Sequence, residues 1–180
     1  MSELIETLKA KVRGTIDLKR LKKDGLIVGK NFHAQYDVII DPGHCWLIEI
    51  GNNVTLAPRV HILAHDASMK KSLGYAKIGR VKIGNNVFIG AGSIVLPGCM
   101  IDDNTIIGAG SIVTGDLLGG GVYAGNPAVK IFEYDEWIAK QKDSIQNSVT
   151  FDETYKIGVI TEEKKAEMKE KLGRSVGYIV

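Results

Sequence analysis

The chain reads Ile-Gly-Ala-Gly-Ser-Ile-Val twice, at residues 89–95 and again at residues 107–113. The two copies are offset by eighteen residues, which is three periods of six. Aliphatic residues keep the six-residue period throughout this region, at Ile83, Ile89, Val95, Ile101, Ile107 and Val113 and, earlier in the chain, at Ile50, Leu56 and Ile62. Neither the 3.6-residue period of a helix nor the alternation of an ordinary strand produces this spacing. The pattern predicts that the chain turns a corner within every hexapeptide.

Three corners close one coil, so the repeat predicts an all-β solenoid, a parallel β-helix of triangular section. The residue after each aliphatic position is usually small, and the residue four after it is small or β-branched, which suits a narrow core. Short polar pairs such as Asn52-Asn53, Asn85-Asn86 and Asp103-Asn104 lie between these positions. Such residues tolerate left-handed backbone conformations and favour turns. We expect residues eighteen apart to lie above one another, at the usual inter-strand spacing of about 4.8 Å.

The six-residue period is interrupted twice. It begins near Val28, loses phase across residues 41–46 and resumes at Ile50. It breaks again after Ile62, because counting on in sixes misses Ile83. The sequence therefore predicts a β-helix domain over residues 26–131 that carries an extruded loop over residues 66–77.

Helical segments are predicted on both sides of the repeat. Residues 1–25 form an N-terminal helical segment, in which an amphipathic helix runs from Ser2 to about Leu21. Residues 132–180 form a C-terminal helical extension. Its last helix runs from Glu162 to Leu172, with Thr161 at its start, acidic residues in its first turn and Gly173 past its end.

Composition excludes several classes of function. A formal net charge of +2 over 180 residues gives no sign of a nucleic-acid partner. No apolar run approaches the ~18 residues of a membrane span, and the N-terminus lacks the plan of a signal peptide. We therefore expect a cytoplasmic protein with no membrane span. Two cysteines, Cys45 and Cys99, do not make a disulfide framework.

These features resemble one family. The hexapeptides, the tail Val122-Tyr-Ala-Gly-Asn-Pro-Ala-Val-Lys-Ile131 and the pair His65-Asp66 before the break are similar to the hexapeptide-repeat acyltransferases, most of all the sugar O-acetyltransferases. The resemblance covers roughly residues 26–131. It implies a left-handed β-helix, an exception to right-handed crossovers, and a homotrimer with acyl-CoA bound between neighbouring prisms. It also implies a CoA-dependent O-acetyltransferase that moves an acetyl group from acetyl-CoA, its co-substrate, to a hydroxyl of a sugar or saccharide acceptor.

His65 is the candidate general base. Acetyl transfer to a hydroxyl needs a group that removes the hydroxyl proton, and histidine, with an ordinary pKa of about 6.5, is the usual choice. His65 stands where the coil gives way to the loop, which is the position of the family's catalytic histidine. A rigid wall holds it there while the loop can exclude water. A loop histidine that only bonds to its neighbours is the structural alternative.

No metal site is expected. His61 and His65 are four residues apart, but on a β-helix this spacing does not create a shared face as it does on an α-helix.

The donor is expected to lie along small corner residues. A pantetheine arm is thin and carries two amides, so a groove edged by Ala91 and Ala109 exposes backbone groups to it. The resemblance points to the same two residues and adds Gly90, Gly108 and Thr114. Lys130 is the candidate for the phosphates, although this chain has Val129 and Lys130 in the reverse of the family's usual order.

The acceptor side is predicted from the early coils. In the resembling enzymes a polar residue of these coils meets the sugar, and Gln35, Tyr36 and Asp37 occupy that region here. His44, at a corner near the first phase break, is a further candidate. An amide, a carboxylate and an aromatic ring suit a sugar, which offers hydroxyls and an apolar face.

Two other classes of function stay open at the level of sequence. One is a metal-dependent hydratase of the carbonic anhydrase type on the same fold, which requires three histidines that meet at a subunit interface. The other is a non-catalytic solenoid that serves as a scaffold. The histidine beside the loop and the Gly-Asn-Pro tail favour the acetyltransferase.

Overall fold

The computed structural model describes residues 14–180, and in it the chain winds through three parallel sheets in turn. The chain passes from the first sheet to the second and then to the third, and it returns to the first sheet one coil further along. This is the winding of a parallel β-helix. The first sheet contains β1 Ile27–Val28, β4 Ile48–Ile50, β9 Val81–Ile83 and β12 Met100–Ile101. The second contains β2 His33–Ala34, β5 Thr55–Leu56, β10 Phe88–Ile89, β13 Thr105–Ile107, β15 Gly121–Ala124 and the antiparallel β16 Val129–Phe132. The third contains β3 Ile39–Ile40, β6 His61–Ile62, β11 Ile94–Val95 and β14 Ile112–Val113.

The strand register confirms the eighteen-residue coil. Ile89 pairs with Ile107 in the second sheet, and Val95 pairs with Val113 in the third. The two copies of the repeated heptapeptide therefore lie one above the other.

The aliphatic residues of the repeat form the core, as the sequence predicts. At the six-residue positions from Ile50 to Val113, no side chain is more than 2% exposed. The second inward set, four residues later, is equally buried: Val54, Val60, Val87, Ser93, Thr105 and Ser111. Each fully buried Ile or Val contributes about 1.5–3 kcal/mol relative to an exposed one, so the stacked coils supply their own stability.

A ladder of asparagines marks one turn of every coil. The side-chain amide of Asn31 donates to the amide oxygen of Asn53, that of Asn53 to Asn86, and that of Asn86 to Asn104, over 2.9–3.1 Å. All four residues have a positive φ of 54–55°. This is the left-handed turn conformation for which the sequence pattern selects asparagine.

Two coils are longer than eighteen residues. The ladder residues Asn31 and Asn53 are 22 positions apart, which is four more than one coil, and Asn53 and Asn86 are 33 apart, which is fifteen more. The four-residue insertion follows β3 and leads into a 3-10 turn, Cys45–Leu47. The fifteen-residue insertion follows β6. It consists of an antiparallel pair of strands, β7 His65–Asp66 and β8 Lys77–Ile78, with a short helix between them, Lys70–Leu73.

The helix before the coils differs from its prediction. It is α1, Leu18–Lys23, and the carboxylate of Asp17 caps it by accepting the N–H of Arg20. Residues 14–17 are not helical, and Gly14 has a φ of +64°. The prediction that one helix continues to Leu21 from further upstream is therefore wrong, because residues 14–17 are not helical and α1 begins after its cap at Asp17. The predicted portion from Ser2 to residue 13 lies outside the described residues. With α1 first, the loop helix Lys70–Leu73 is α2.

The described chain forms two compact units, one that ends at Tyr134 and one that runs from Asp135 to Val180. The second unit contains most of α3, Tyr134–Gln146, together with a 3-10 turn, Glu153–Tyr155, and α4, Glu162–Leu172. Two parallel strands complete it, β17 Val149–Phe151 and β18 Gly177–Ile179. The bounds of α4, its cap at Thr161 and the terminating Gly173 are those predicted. Among residues 14–180, none of the helices combines the length and apolar character that crossing a bilayer requires.

Candidate active site

Both insertions leave the coils at the same corner, between the third sheet and the first, which we name the 3–1 corner. The strands that precede them are neighbours in the third sheet, with Ile40 paired to Ile62. The pairing continues one residue further, because the N–H of Asp41 donates to the carbonyl oxygen of Ile62 over 2.8 Å. The first residues of the two insertions are therefore brought side by side.

Asp41 is the buried centre of this corner, with 1% of its surface exposed. Its Oδ1 accepts the N–H of Gly43 at 3.0 Å, and its Oδ2 accepts the N–H of Ala64 at 3.0 Å. Burial raises the pKa of the Asp41 carboxyl, but the hydrogen bonds from His65, Ala64 and Gly43 lower it by more, so the pKa lies below its ordinary value. Asp41 is therefore an ionised acceptor at neutral pH.

His65 forms a hydrogen bond with this carboxylate. Its Nδ1 lies 2.5 Å from Asp41 Oδ2, while 37% of its side chain is exposed. Because an ionised carboxylate only accepts hydrogen bonds, Nδ1 carries the proton of this bond. In the neutral ring Nε2 is then the nitrogen with a free lone pair. This tautomer and a fixed ring orientation are what a general base for a hydroxyl requires.

The aromatic rings of His44 and Trp46 belong to the same cluster as the ring of His65. The ring of His44 lies 4.7 Å from that of His65, and the ring of Trp46 lies 5.2 Å from that of His44. His44 Nδ1 is buried and has no hydrogen-bond partner among the described residues. Trp46 is 56% exposed. The first insertion therefore supplies a carboxylate, an imidazole and an indole to one corner.

A cleft of about 430 Å³ opens beside His65. It contains Thr114, one of the predicted donor residues, which follows β14 two coils beyond β6. Lys77, from the second insertion, lies in the same cleft. The remaining lining residues are Leu63, Asp66, Ala67, Leu96 and Pro97.

His44, one of the predicted acceptor residues, lies at the 3–1 corner beside His65. Seven other predicted donor and acceptor residues lie at a different corner, between the second sheet and the third, which we name the 2–3 corner. The acceptor candidates Gln35, Tyr36 and Asp37 follow β2 and are exposed. The donor candidates Gly90 and Ala91 follow β10, and Gly108 and Ala109 follow β13. Ala91 and Ala109 are exposed. They stack one coil apart, with the N–H of Gly110 donating to the carbonyl oxygen of Ala91 at 2.8 Å. Within one chain these residues are not brought to His65.

Lys130 forms a hydrogen bond with a carboxylate. Its Nζ lies 3.0 Å from Glu133 Oε2, and this hydrogen bond raises the pKa of the lysine. The ammonium also lies over the ring of Tyr123, 5.6 Å from its centroid. A phosphate bound by Lys130 would share the ammonium with Glu133 or displace it.

Within one chain, the described residues do not bring three histidines together. Among residues 14–180, the one set of three possible ligands is Asp41, His44 and His65, whose ligand atoms lie within 4.8 Å of one another. His61 is outside this set, since it belongs to β6 and pairs with Ile39 and Ile94 in the third sheet.

Asp41 and Trp46 are absent from the site residues that the sequence predicts. The sequence signal that could have identified these two residues is the interruption of the six-residue period across residues 41–46. Such an interruption indicates a segment that leaves the wall of the coils. Two such segments that follow paired strands of one sheet must leave from the same corner.

Comparisons with known proteins agree with this fold. Residues 80–115 match the family described as bacterial transferase hexapeptide (six repeats). Protein CapG of Staphylococcus aureus is 46% identical over 99 residues, which are 53% of this chain and 58% of that protein. The galactoside O-acetyltransferase of Escherichia coli (strain K12) is 38% identical over 116 residues, which are 61% of this chain and 54% of the enzyme.

A solved structure is also similar to this chain in fold. The maltose O-acetyltransferase of Clostridium difficile 630 is 45% identical, with a TM-score of 0.53 over 61% of this chain and 59% of that one. The chain thus spans somewhat more than half the length of these relatives. From the repeat, the winding of the sheets and these similarities we conclude that residues 80–115 belong to the bacterial transferase hexapeptide family, and that the coils around them are similar to those of hexapeptide-repeat acetyltransferases.

Proposed function

We propose that this protein is a CoA-dependent O-acetyltransferase that moves an acetyl group from acetyl-CoA to a hydroxyl of a sugar or saccharide. The observation that carries the proposal is the hydrogen bond between Asp41 and His65 beside an open cleft. Relatives named as galactoside and maltose O-acetyltransferases support the reaction and the class of acceptor.

The proposed mechanism is a direct attack. His65 Nε2 removes the proton of the acceptor hydroxyl as its oxygen attacks the thioester carbonyl of acetyl-CoA. The tetrahedral intermediate collapses with loss of the CoA thiolate, and the proton held by His65 passes to that sulfur. Asp41 fixes the Nδ1–H tautomer and stabilises the imidazolium that forms between these steps.

The proposed donor site runs along the small residues of the 2–3 corner. The exposed methyl groups of Ala91 and Ala109 leave the neighbouring backbone groups open to the pantetheine amides. The proposal puts the reactive end of the donor near Thr114, which lines the cleft of His65.

A homotrimer follows from the same assignment. Thr114 lies in the cleft of His65, but the donor residues proposed for the pantetheine arm lie at the 2–3 corner, whereas His65 lies at the 3–1 corner. One chain alone therefore does not complete the site. Placing the 2–3 corner of one chain against the 3–1 corner of the next completes it, and a closed ring repeats this contact around its axis. We propose three such chains, each wound as a left-handed β-helix. Light scattering at micromolar concentration should give three times the chain mass, and a stable monomer would contradict the shared site.

The reaction is tested by following release of the CoA thiol from acetyl-CoA in the presence of a panel of sugars, saccharides and nucleotide-sugars. We expect thiol release that depends on the acceptor, with one acetyl ester formed per thiol. Absence of release with every hydroxyl acceptor, from protein that binds acetyl-CoA, would contradict the proposed function.

A further inference from the structure

We propose that Trp46 is the platform on which the acceptor ring lies, so that the acceptor is a pyranose held by stacking and not a small open-chain alcohol. This inference rests on the proposed acetyl transfer and names the substrate class of that site. It is carried by the position of an exposed indole in the same insertion as Asp41.

Trp46 is exposed for a local reason. Cys45, the residue before it, is fully buried and directs its thiol to the carbonyl oxygens of Leu21 and Asp24. In the tight 3-10 turn that follows, the side chain of Trp46 is directed outward and remains 56% exposed. The backbone of Gly25 packs closely against the base of this side chain, because a Cβ at Gly25 would lie only 2.8 Å from the Cβ of Trp46. The turn and this contact place the indole at the surface.

The indole is also at a useful distance from the base. Steps of 4.7 Å from His65 to His44 and 5.2 Å from His44 to Trp46 put the indole ring within about 10 Å of the His65 ring. A hexose that rests on the indole can present a hydroxyl to His65 across the ring of His44. The apolar face of a pyranose carries C–H groups that suit the negative face of an aromatic ring. A small open-chain alcohol has no ring face with which to stack on the indole.

The first test is a comparison of acceptors. Trp46→Ala should raise KM for hexose acceptors about three- to tenfold, with kcat within about twofold and KM for acetyl-CoA unchanged. Trp46→Phe, which keeps a ring, should show a smaller increase. For glycerol as acceptor, KM should be the same in wild type and Trp46→Ala. An unchanged KM for hexoses, or an equal increase for glycerol, would overturn the platform.

The second test does not depend on turnover. The chain has two tryptophans, Trp46 and Trp137, so Trp137→Phe leaves Trp46 as the single indole reporter. Titration of this variant with the hexoses should change its fluorescence saturably, whereas glycerol should leave it unchanged. No saturable change with any hexose would overturn the inference even if acetyl transfer is confirmed. A Trp46→Ala protein with altered oligomeric mass and unaltered KM would assign Trp46 to a subunit contact, which also overturns it.

Discussion

Asp41 Oδ2 and His65 Nδ1 are 2.5 Å apart although 24 residues separate them in sequence, and the carboxylate is almost fully buried beneath a partly exposed imidazole. The pair exists because two insertions leave neighbouring strands of one sheet at the same corner. It orients the ring before any ligand arrives, which is the condition for efficient proton transfer.

Replacing Asp41 by Asn should lower kcat by about 10²-fold or more, because an amide can donate to Nδ1 and so favours the wrong tautomer. KM for acetyl-CoA should stay within about twofold. The matched control is Asp116→Asn, which alters another aspartate that accepts a backbone N–H, that of Met100 at 2.8 Å, but lies outside the cleft. Equal turnover in the two variants, measured as initial rates of thiol release, would remove Asp41 from the mechanism.

The same carboxylate makes stability depend on pH. Its pKa is below the ordinary value of 3.8 in the folded protein, so folding holds Asp41 in its ionised form. This contribution is complete above about pH 5 and is lost as the pH falls through the folded-state pKa. In urea titrations between pH 5 and pH 3, the free energy of unfolding of wild type should therefore fall more steeply than that of Asp41→Asn. Parallel pH dependences would contradict this assignment.

Ala109→Tyr should weaken acetyl-CoA binding at least tenfold, because the phenol ring fills the groove that the methyl group leaves open at the 2–3 corner. Ala109 is exposed, so the fold and the oligomer should be retained. Ala139→Tyr, at an exposed position of α3, controls for the added ring. Calorimetric titration with acetyl-CoA measures the effect, and unchanged affinity would remove Ala109 from the donor site.

The asparagine ladder predicts a stability difference between two substitutions at one position. Asn86→Ala loses both ladder bonds and places alanine at a φ of 55°, which costs about 1–2 kcal/mol in backbone energy alone. Asn86→Gly loses the same bonds without the steric cost and should be about 1 kcal/mol more stable than Asn86→Ala. Reversible urea unfolding of both variants measures the difference. The reverse order would show that the turn conformation is not what selects asparagine.

The periodicity of the sequence is sufficient to predict the stacked coils. It is not sufficient to predict which side chains the two insertions bring together. The stacking of Ile89 and Ile107 can be predicted because every coil repeats the same inward position. His65 is predicted because it directly precedes a break in that repeat. Asp41 is absent from the prediction because its proposed role depends on a partner in the next coil, and no local pattern distinguishes it from a turn aspartate.

The proposed division of the site between two corners also cannot be predicted from periodicity alone. Ala109 and Thr114 are five residues apart, yet a corner-to-corner strand separates them, so only Thr114 reaches the cleft of His65. The prediction that a helix continues to Leu21 from further upstream is wrong for a local reason. The apolar spacing continues past Gly14, but residues 14–17 are not helical, and the cap at Asp17 starts α1.

The identity of the general base is tested most directly by comparing His65→Ala with His61→Ala in purified protein of native oligomeric mass, with saturating acetyl-CoA and the best acceptor from the panel. Loss of a general base typically costs a factor of about 10²–10⁴ in rate. His65→Ala should therefore lose turnover by that factor while keeping its affinity for acetyl-CoA, and His61→Ala, which alters a wall residue, should lose far less. Near-normal turnover in His65→Ala would contradict the account and move the base to another residue.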